Sequence, residues 1–118
     1  MIPQRSRFST YNDGVLWVCD PEDTASDFGA VKNTTKKDDL KRIQKLDYKE
    51  MSKRDQDLDF AESQGRVLNM KVKCRLWPKV NKLHQILIGK VLYSIINLDE
   101  DRTSQEMYLY LEEVRRLS

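Results

Sequence analysis

The sequence has little of what most enzymes and metal proteins need. Its 118 residues include one histidine, two cysteines and four glycines. The glycines occur singly, so there is no glycine-rich phosphate-binding loop, and no HExxH or GxSxG motif occurs. Cys19 and Cys74 lie 55 positions apart, which forms neither a CxxC metal site nor a disulfide framework. The sequence therefore predicts a protein that is not an enzyme and needs no cofactor.

A cysteine–histidine pair is the one nucleophilic combination that this composition leaves open. Cys74 occupies an apolar position in a predicted strand, where a free cysteine usually acts as a small core residue. The single histidine, His84, lies near a predicted loop, which favours a surface or hydrogen-bonded histidine. We therefore expect neither residue to be catalytic.

Long apolar runs and a strong net charge are also missing. No segment approaches the ~18 apolar residues of a membrane span. The first 14 residues have basic side chains but no apolar core, so they do not predict a signal peptide. The net charge is only +2, from 21 Lys and Arg against 19 Asp and Glu, so the chain as a whole is not a polycation. The length predicts one domain over residues 1–118. With neither a signal peptide nor a disulfide framework, the expected location is the cytosol or an assembly made there.

What the sequence does contain is a series of strand patterns. Residues 68–76 alternate apolar and polar side chains without a break, which is typical of a half-buried strand. The runs 86–88 and 91–98 flank Gly89-Lys90 and predict a hairpin with a type II′ turn. Three further strands are predicted, at residues 14–19, 40–50 and 107–111, the last with an apolar face and a tyrosine face. The pattern favours an all-β fold, a small antiparallel β-barrel or sandwich of about six strands.

Polar segments separate these strands. Residues 20–39 form a predicted polar loop, and residues 99–104 a shorter one. Residues 51–65 predict a loop–helix excursion, that is, one short helix inside a long connection between two strands. Ser52 is expected to cap the helix in a capping box with Asp55, and Gly65 to end it in a left-handed conformation.

Charge is distributed unevenly along the chain. Residues 64–98 have seven basic residues and no acidic one, whereas residues 20–63 and 99–118 each have a net charge of −3. Six of these basic residues form a candidate partner-binding basic face: Arg66, Lys71, Lys73, Arg75, Lys79 and Lys82.

The basic face has three interpretations. Acidic residues of a neighbouring strand, for which Glu112 and Glu113 are candidates, could neutralise a solvated outer face. Alternatively, the face could dock on an acidic partner subunit or bind nucleic acid. Bases stack on aromatic side chains, and only Trp77 lies close to this block in the sequence, so support for single-strand binding is thin.

An ordered set of short motifs runs from about residue 11 to residue 116. It comprises Tyr11-Asn12-Asp13-Gly14-Val15-Leu16, Met51-Ser52, Arg54-x-x-Asp57-x-x-Phe60-Ala61-Glu62, Leu68-x-Met70-Lys71-Val72-Lys73-x-Arg75, Tyr93-x-Ile95-Ile96-x-Leu98-Asp99-x-Asp101 and Met107-Tyr108-Leu109-Tyr110-Leu111-Glu112-x-Val114. The set resembles the head-completion proteins of long-tailed bacteriophages, which are also called head-closure, stopper or head–tail adaptor proteins. Residues 20–39 match this family least.

The resemblance implies a virion protein that is a small β-barrel with a long excursion between two strands. Such proteins form a ring, typically of twelve subunits, below the portal and its adaptor ring. The ring retains packaged DNA and provides the surface to which the tail attaches. The implied partners are portal and adaptor proteins, tail-completion or tail-tube proteins, further copies of this chain and the DNA in the channel, with no membrane. The implied location is the head–tail interface of a virion assembled in the bacterial cytoplasm.

In some members of that family the excursion points into the channel and closes it. The corresponding candidate residues here are Met51, Ser52, Lys53, Arg54, Asp55, Gln56 and Asp57. The alternating charges of this segment suit contacts between ring subunits, and they equally suit a solvated helix. Two other functions stay open: a different junction component, such as a tail-completion protein, and a small barrel that binds nucleic acid.

Overall fold

The computed structural model describes residues 11–21 and 40–117. The predicted polar loop over residues 20–39 therefore lies almost entirely outside the described residues. The described chain contains six strands and one helix: β1 (Gly14–Cys19), β2 (Arg42–Met51), α1 (Asp55–Ser63), β3 (Met70–Arg75), β4 (Gln85–Ile88), β5 (Val91–Asp101) and β6 (Glu106–Arg116). This helix is too short to cross a membrane, and no other helix occurs in the described ranges.

The six strands form a closed barrel in the order β1-β2-β3-β6-β5-β4. Every neighbouring pair is antiparallel, and the short strand β4 closes the barrel by pairing with β1 on one side and β5 on the other. The prediction of a small antiparallel all-β fold with one short helix is confirmed. Of the two predicted architectures, the structure is the barrel.

The prediction of a loop over residues 99–104 is wrong for residues 99–101, which belong to a strand. Strand β5 continues to Asp101, where Asp99 pairs with Tyr108 and Asp101 with Glu106. Polar side chains support this extension, because the Tyr110 hydroxyl donates a hydrogen bond to the Asp99 carboxylate at 2.9 Å. A polar run can thus remain a strand when its partner strand supplies hydrogen bonds.

The predicted two-residue turn between β4 and β5 is confirmed. Ile88 pairs with Val91, which leaves Gly89 and Lys90 as the loop. A type II′ turn requires a positive φ at its first loop residue and a negative φ at its second. Gly89 has φ +61°, and the φ of Lys90 is not positive, so the turn fits this type.

The start of α1 differs from the prediction. Ser52 does not cap the helix, because the chain leaves β2 at Met51 and the helix begins only at Asp55. The Asp57 carboxylate instead accepts a hydrogen bond from the backbone N–H of Arg54 at 3.0 Å. The predicted helix end is confirmed: Gly65 has φ +69° and closes the last turn as expected of a glycine in this position.

The barrel interior is filled by the alternating apolar residues of the strands. Its fully buried members include Leu16, Val18, Val72, Cys74, Ile86, Met107, Leu109 and Leu111. On β6 the residues Met107, Leu109 and Leu111 point inward, while Tyr108 and Tyr110 face outward toward the excursion. The predicted division of this strand into an apolar and a tyrosine face is confirmed.

Helix α1 covers part of the outer face of β5 and β6 through a small cluster. Ala61 packs there with Leu68, Ile96 and Tyr110. The two larger apolar side chains of the helix, Leu58 and Phe60, are 40% and 43% exposed. Apolar contact therefore covers only a narrow strip of the helix, and polar contacts have to supply the rest of its attachment.

Replacing Leu109 with alanine should lower the free energy of unfolding by about 3 kcal/mol, because it leaves a cavity in a fully buried core. Leu83→Ala is the matched control, since Leu83 is 76% exposed and its loss should change stability by less than about 0.5 kcal/mol. Urea denaturation of both variants measures the difference. Equal effects would contradict the assignment of Leu109 to the interior.

Candidate functional site

The hairpin of β5 and β6 extends past the short strand β4. Strand β4 pairs only with residues 91–94 of β5, whereas β6 pairs with β5 as far as Asp101. Among the described residues, positions 95–101 of β5 therefore have a strand neighbour on one side only. The far half of the hairpin projects beyond the part of the wall that β4 closes.

An open cleft of about 460 Å³, here named the hairpin cleft, lies between this hairpin and the root of the excursion. The excursion side of the cleft consists of Met51, Ser52 and Arg54. Lys71, Tyr108 and Tyr110 contribute from β3 and β6, and residues 99–101 of β5 provide three carboxylates. The cleft therefore combines aromatic rings with charges of both signs.

A buried ion pair fixes the excursion beside the hairpin cleft. The Lys71 ammonium lies 3.0 Å from the Asp57 carboxylate, and both side chains are only 7% exposed. The same ammonium lies 5.6 Å from the ring centroid of Tyr108 and 5.2 Å from that of Tyr110, within the range of cation–π attraction. Lys71 on β3 is thus held by the first turn of α1 and by two aromatic rings of β6.

The surroundings of Asp57 favour its charged form. Burial by itself would raise the pKa of this carboxyl group. The hydrogen bonds from the backbone N–H of Arg54, from the Lys71 ammonium and from the Arg54 side chain outweigh burial, and they hold the pKa below its ordinary value of 3.8. Asp57 is therefore ionised at neutral pH.

The segment over residues 66–69, which leads from the excursion into β3, is attached at a second place. The Arg66 guanidinium forms an ion pair with Glu112 and donates a hydrogen bond to the Ser94 hydroxyl at 2.6 Å. The hydrogen bond from Arg66 is the main reason why the pKa of Glu112 is lowered. The Asn69 backbone N–H then donates to the Leu111 carbonyl at 2.9 Å. Both ends of the excursion are therefore bound to the barrel.

The structure separates the candidate channel-closing residues into different environments. Met51, Ser52 and Arg54 line the hairpin cleft, while the Lys53 ammonium donates to the Asn69 carbonyl at 3.3 Å. Asp55 and Gln56 lie on the exposed first turn of α1. The structure corrects the set of candidate channel-closing residues at Asp57. Its side chain is buried and holds the helix, so it cannot line a channel.

The predicted basic face is divided in the same way. Lys71, Lys73 and Arg66 are engaged by Asp57, Glu106 and Glu112, with a distance of 3.7 Å between the Lys73 and Glu106 charged groups. This agrees with the interpretation in which neighbouring acids neutralise the block, and Glu112 is one of the acids expected. It corrects the placement of Lys71 on an accessible face. Three members of the face are exposed: Arg75, Lys79 and Lys82.

Neither Cys74 nor His84 has the surroundings expected of a reactive cysteine–histidine pair. Cys74 is fully buried, and burial raises the pKa of its thiol to about 12. The Nδ1 atom of His84 accepts a hydrogen bond from the Asn81 backbone N–H at 3.1 Å, as expected for a hydrogen-bonded loop histidine. No group of three metal-ligating side chains occurs in the described ranges 11–21 and 40–117.

Two parts of the site were not predicted from the sequence. One is the pairing of Asp57 with Lys71, because the capping pattern in this segment, Ser52 with Asp55, places the helix cap two residues before the observed cap at Arg54. The other is Tyr11, whose hydroxyl donates to the Glu106 carboxylate at 2.6 Å across 95 positions of sequence. No local pattern in the sequence indicates such a distant contact.

Comparison with known proteins gives no family for this chain: no family model matches it, and no curated protein is similar to it. A function is therefore inferred from the barrel, the docked excursion and the motif resemblance.

Replacing Asp57 with asparagine should lower the free energy of unfolding by about 3 kcal/mol, because Lys71 would stay buried without a counter-charge. Asp59→Asn is the matched control: it removes the same charge from an exposed position of α1 and should cost less than about 0.5 kcal/mol. Urea denaturation gives both values. If the two variants behave alike, the ion pair does not hold the excursion.

The stability difference between the unaltered chain and Asp57→Asn should depend on pH. Because the folded pKa of Asp57 is below 3.8, its stabilising contribution is fully present above that value and is lost as the pH falls through the lower, folded pKa. The difference should therefore be constant from pH 7 to about pH 5 and shrink at more acidic pH. Denaturation midpoints measured from pH 7 to pH 2 test this, and a constant difference throughout would contradict it.

Proposed function

We propose that this chain is a structural protein of the head–tail junction of a long-tailed bacteriophage, of the head-completion or stopper class. One observation carries the proposal: a closed six-stranded barrel has a loop–helix excursion between β2 and β3, fixed to the barrel at both ends. The motif resemblance implies this combination of barrel and excursion. In that role the chain is a ring subunit that retains DNA in the filled head and presents a surface to the tail.

A ring subunit needs two different faces that fit one another in neighbouring copies. The exposed surface of α1 is acidic, with Asp55, Asp59 and Glu62, whereas the end of β3 and the segment after it expose Arg75, Lys79 and Lys82. Complementary charges of this kind set the register of assembly more than they set affinity. We therefore place the acidic helix of one copy against the basic segment of the next.

The part of the excursion that suits contact with channel DNA is its first linker. Residues 52–54 are exposed and have two basic side chains, Lys53 and Arg54, whereas Asp57 just behind them is buried. The Arg54 side chain bonds Asp57 but stays 61% exposed, and Lys53 bonds the neutral Asn69 carbonyl. Because these contacts and the Asp57–Lys71 pair hold the linker, both basic side chains would be presented at a defined position. Closure of the channel is therefore assigned to residues 52–54.

The other two candidate functions receive less support. A tail-completion protein would share the location and differ in the ring that it touches. Nucleic-acid binding through the basic face is disfavoured, because Arg66, Lys71 and Lys73 already have acidic partners.

Stopping this reading frame early in the phage genome should yield complete tails lying free beside heads that have lost or are losing their DNA. Negative-stain electron microscopy of the lysate shows the particles directly. Expressing the full chain from a plasmid is the control and should restore joined particles. Intact infectious particles without the protein would contradict the proposal.

A second phage tests the linker separately. Replacing residues 52–54 with three glycines removes both basic side chains, and with them the side-chain bond of Arg54 to Asp57. It keeps the backbone N–H at position 54 and the Asp57–Lys71 pair, which are the shorter contacts of that carboxylate. Heads that release DNA but still bear tails would support channel closure by this linker. Normal DNA retention would remove that role from the linker and leave the ring proposal standing.

A further inference from the structure

Two strands of the barrel have a strand neighbour on one side only among the described residues. Residues 43–47 of β2, here named the β2 edge, lie beside β1 and are not reached by β3. Residues 97–101 of β5, here named the β5 edge, pair with β6 and are not reached by β4. The described backbone hydrogen bonds of the connection over residues 76–84 go to Gln105 or stay within it. Such strand edges are templates for pairing with another chain.

The two edges lie on opposite sides of the molecule. In the closed order β1-β2-β3-β6-β5-β4, strands β2 and β5 are three steps apart in either direction. Every neighbouring pair is antiparallel, so β2 and β5 also run in opposite directions. A contact between two different surfaces on opposite sides of a subunit joins copies head to tail, and it forms a ring where the rotation closes.

The two edges differ in charge. Residues 97–101 have a net charge of −3, and the three carboxylates, those of Asp99, Glu100 and Asp101, are exposed. Residues 42–47 have a net charge of +1. Two copies of the β5 edge would bring six carboxylates together and repel each other. The charges therefore favour contact of the β5 edge with the β2 edge over contact with a second β5 edge.

We propose that the β2 edge of one copy of this chain pairs with the β5 edge of the next copy as antiparallel strands. Neighbours in a ring of many copies are turned little relative to one another, so the opposite directions of β2 and β5 make this pairing antiparallel. The inference rests on the proposed ring function, and it names the strands through which the copies join. Sheet hydrogen bonds would then run from one barrel into the next.

One antiparallel register suits the side chains of both edges. With Leu46 opposite Leu98, two half-buried apolar side chains that pack on the barrel core meet each other. A shift by one residue would bring inward-facing side chains opposite outward-facing ones, and a shift by two would separate Lys45 from Asp99. The remaining pairs of this register are Lys45 with Asp99, Gln44 with Glu100 and Asp47 with Asn97.

The pairing agrees with the charged surfaces that we place at the ring contact. Helix α1 packs through Ala61 on Ile96, directly before the β5 edge. Arg75 follows Cys74, which pairs with Tyr48 directly after the β2 edge. Joining the two edges therefore brings the acidic helix of one copy toward the basic segment of the next.

Disulfide trapping between copies in assembled particles tests the pairing. The chain carries Asp47→Cys with Asn97→Cys and is supplied from a plasmid to the phage whose own reading frame is stopped early. The two sites lie on opposite sides of the barrel, so a bond between them has to join two copies. Opposed residues of antiparallel strands have Cβ atoms about 4.5–5.5 Å apart, which a small adjustment brings within disulfide range. The native thiols of Cys19 and Cys74 are buried and should not compete.

Three further variants complete the design. Lys45→Cys with Asp99→Cys tests the same register two positions along, and it keeps the experiment informative if the first pair does not assemble. Lys90→Cys with Asn97→Cys is the matched control, because Lys90 is exposed in the turn before β5 and belongs to neither edge. Asn97→Cys alone detects contact between two β5 edges.

Purified particles are oxidised and their chains are separated on a non-reducing gel. Both edge pairs should give a ladder of dimers, trimers and larger oligomers, with roughly tenfold more linked chain than the control, because paired strands hold the thiols at a high effective concentration. The single-cysteine variant should stay monomeric.

Two results would overturn the strand pairing. Particles that contain the chain but give no more linked product from either edge pair than from the control would leave the proposed ring function standing without these strands. Dimers from Asn97→Cys alone would show that like edges meet. Infectious particles that lack the chain altogether would instead remove the ring function, and the inference with it.

Discussion

The buried ion pair between Asp57 and Lys71 is the contact on which the functional end of this molecule depends. Helix α1 has nine residues, and its larger apolar side chains stay substantially exposed, so apolar packing alone would hold it weakly. Burying two charges is costly unless hydrogen bonds surround them. Here the Arg54 backbone N–H and two tyrosine rings of β6 complete the surroundings of the pair.

The hairpin cleft exists because this attachment keeps the excursion beside β5 and β6. The other wall of the cleft is the β5–β6 hairpin, which is longer than β4. Because β4 pairs only with the first part of β5, the end of β4 determines where the hairpin starts to project from the barrel. The proposed structural role would use this arrangement. The barrel holds the linker over residues 52–54, the acidic helix and the exposed basic residues at defined positions relative to one another.

Several errors of the sequence interpretation have a common cause. Alternation in β3 correctly placed Lys71, Lys73 and Arg75 on one face, but it could not show that two of them have acidic partners. The 99–104 segment was predicted as a loop because it is polar, yet pairing with β6 keeps its first half a strand. In each case the deciding contact comes from a residue distant in sequence.

The sequence by itself determined the strand patterns, the two-residue turn at Gly89, the end of the helix at Gly65 and the inward and outward faces of β6. These features follow from side-chain period and backbone conformation, which are local properties. Only the tertiary structure decided that the sheet closes through β4, that Asp57 pairs with Lys71, and that Tyr11 reaches Glu106 across 95 positions. Closure and charge pairing depend on which segments meet in space, and no local pattern contains that information.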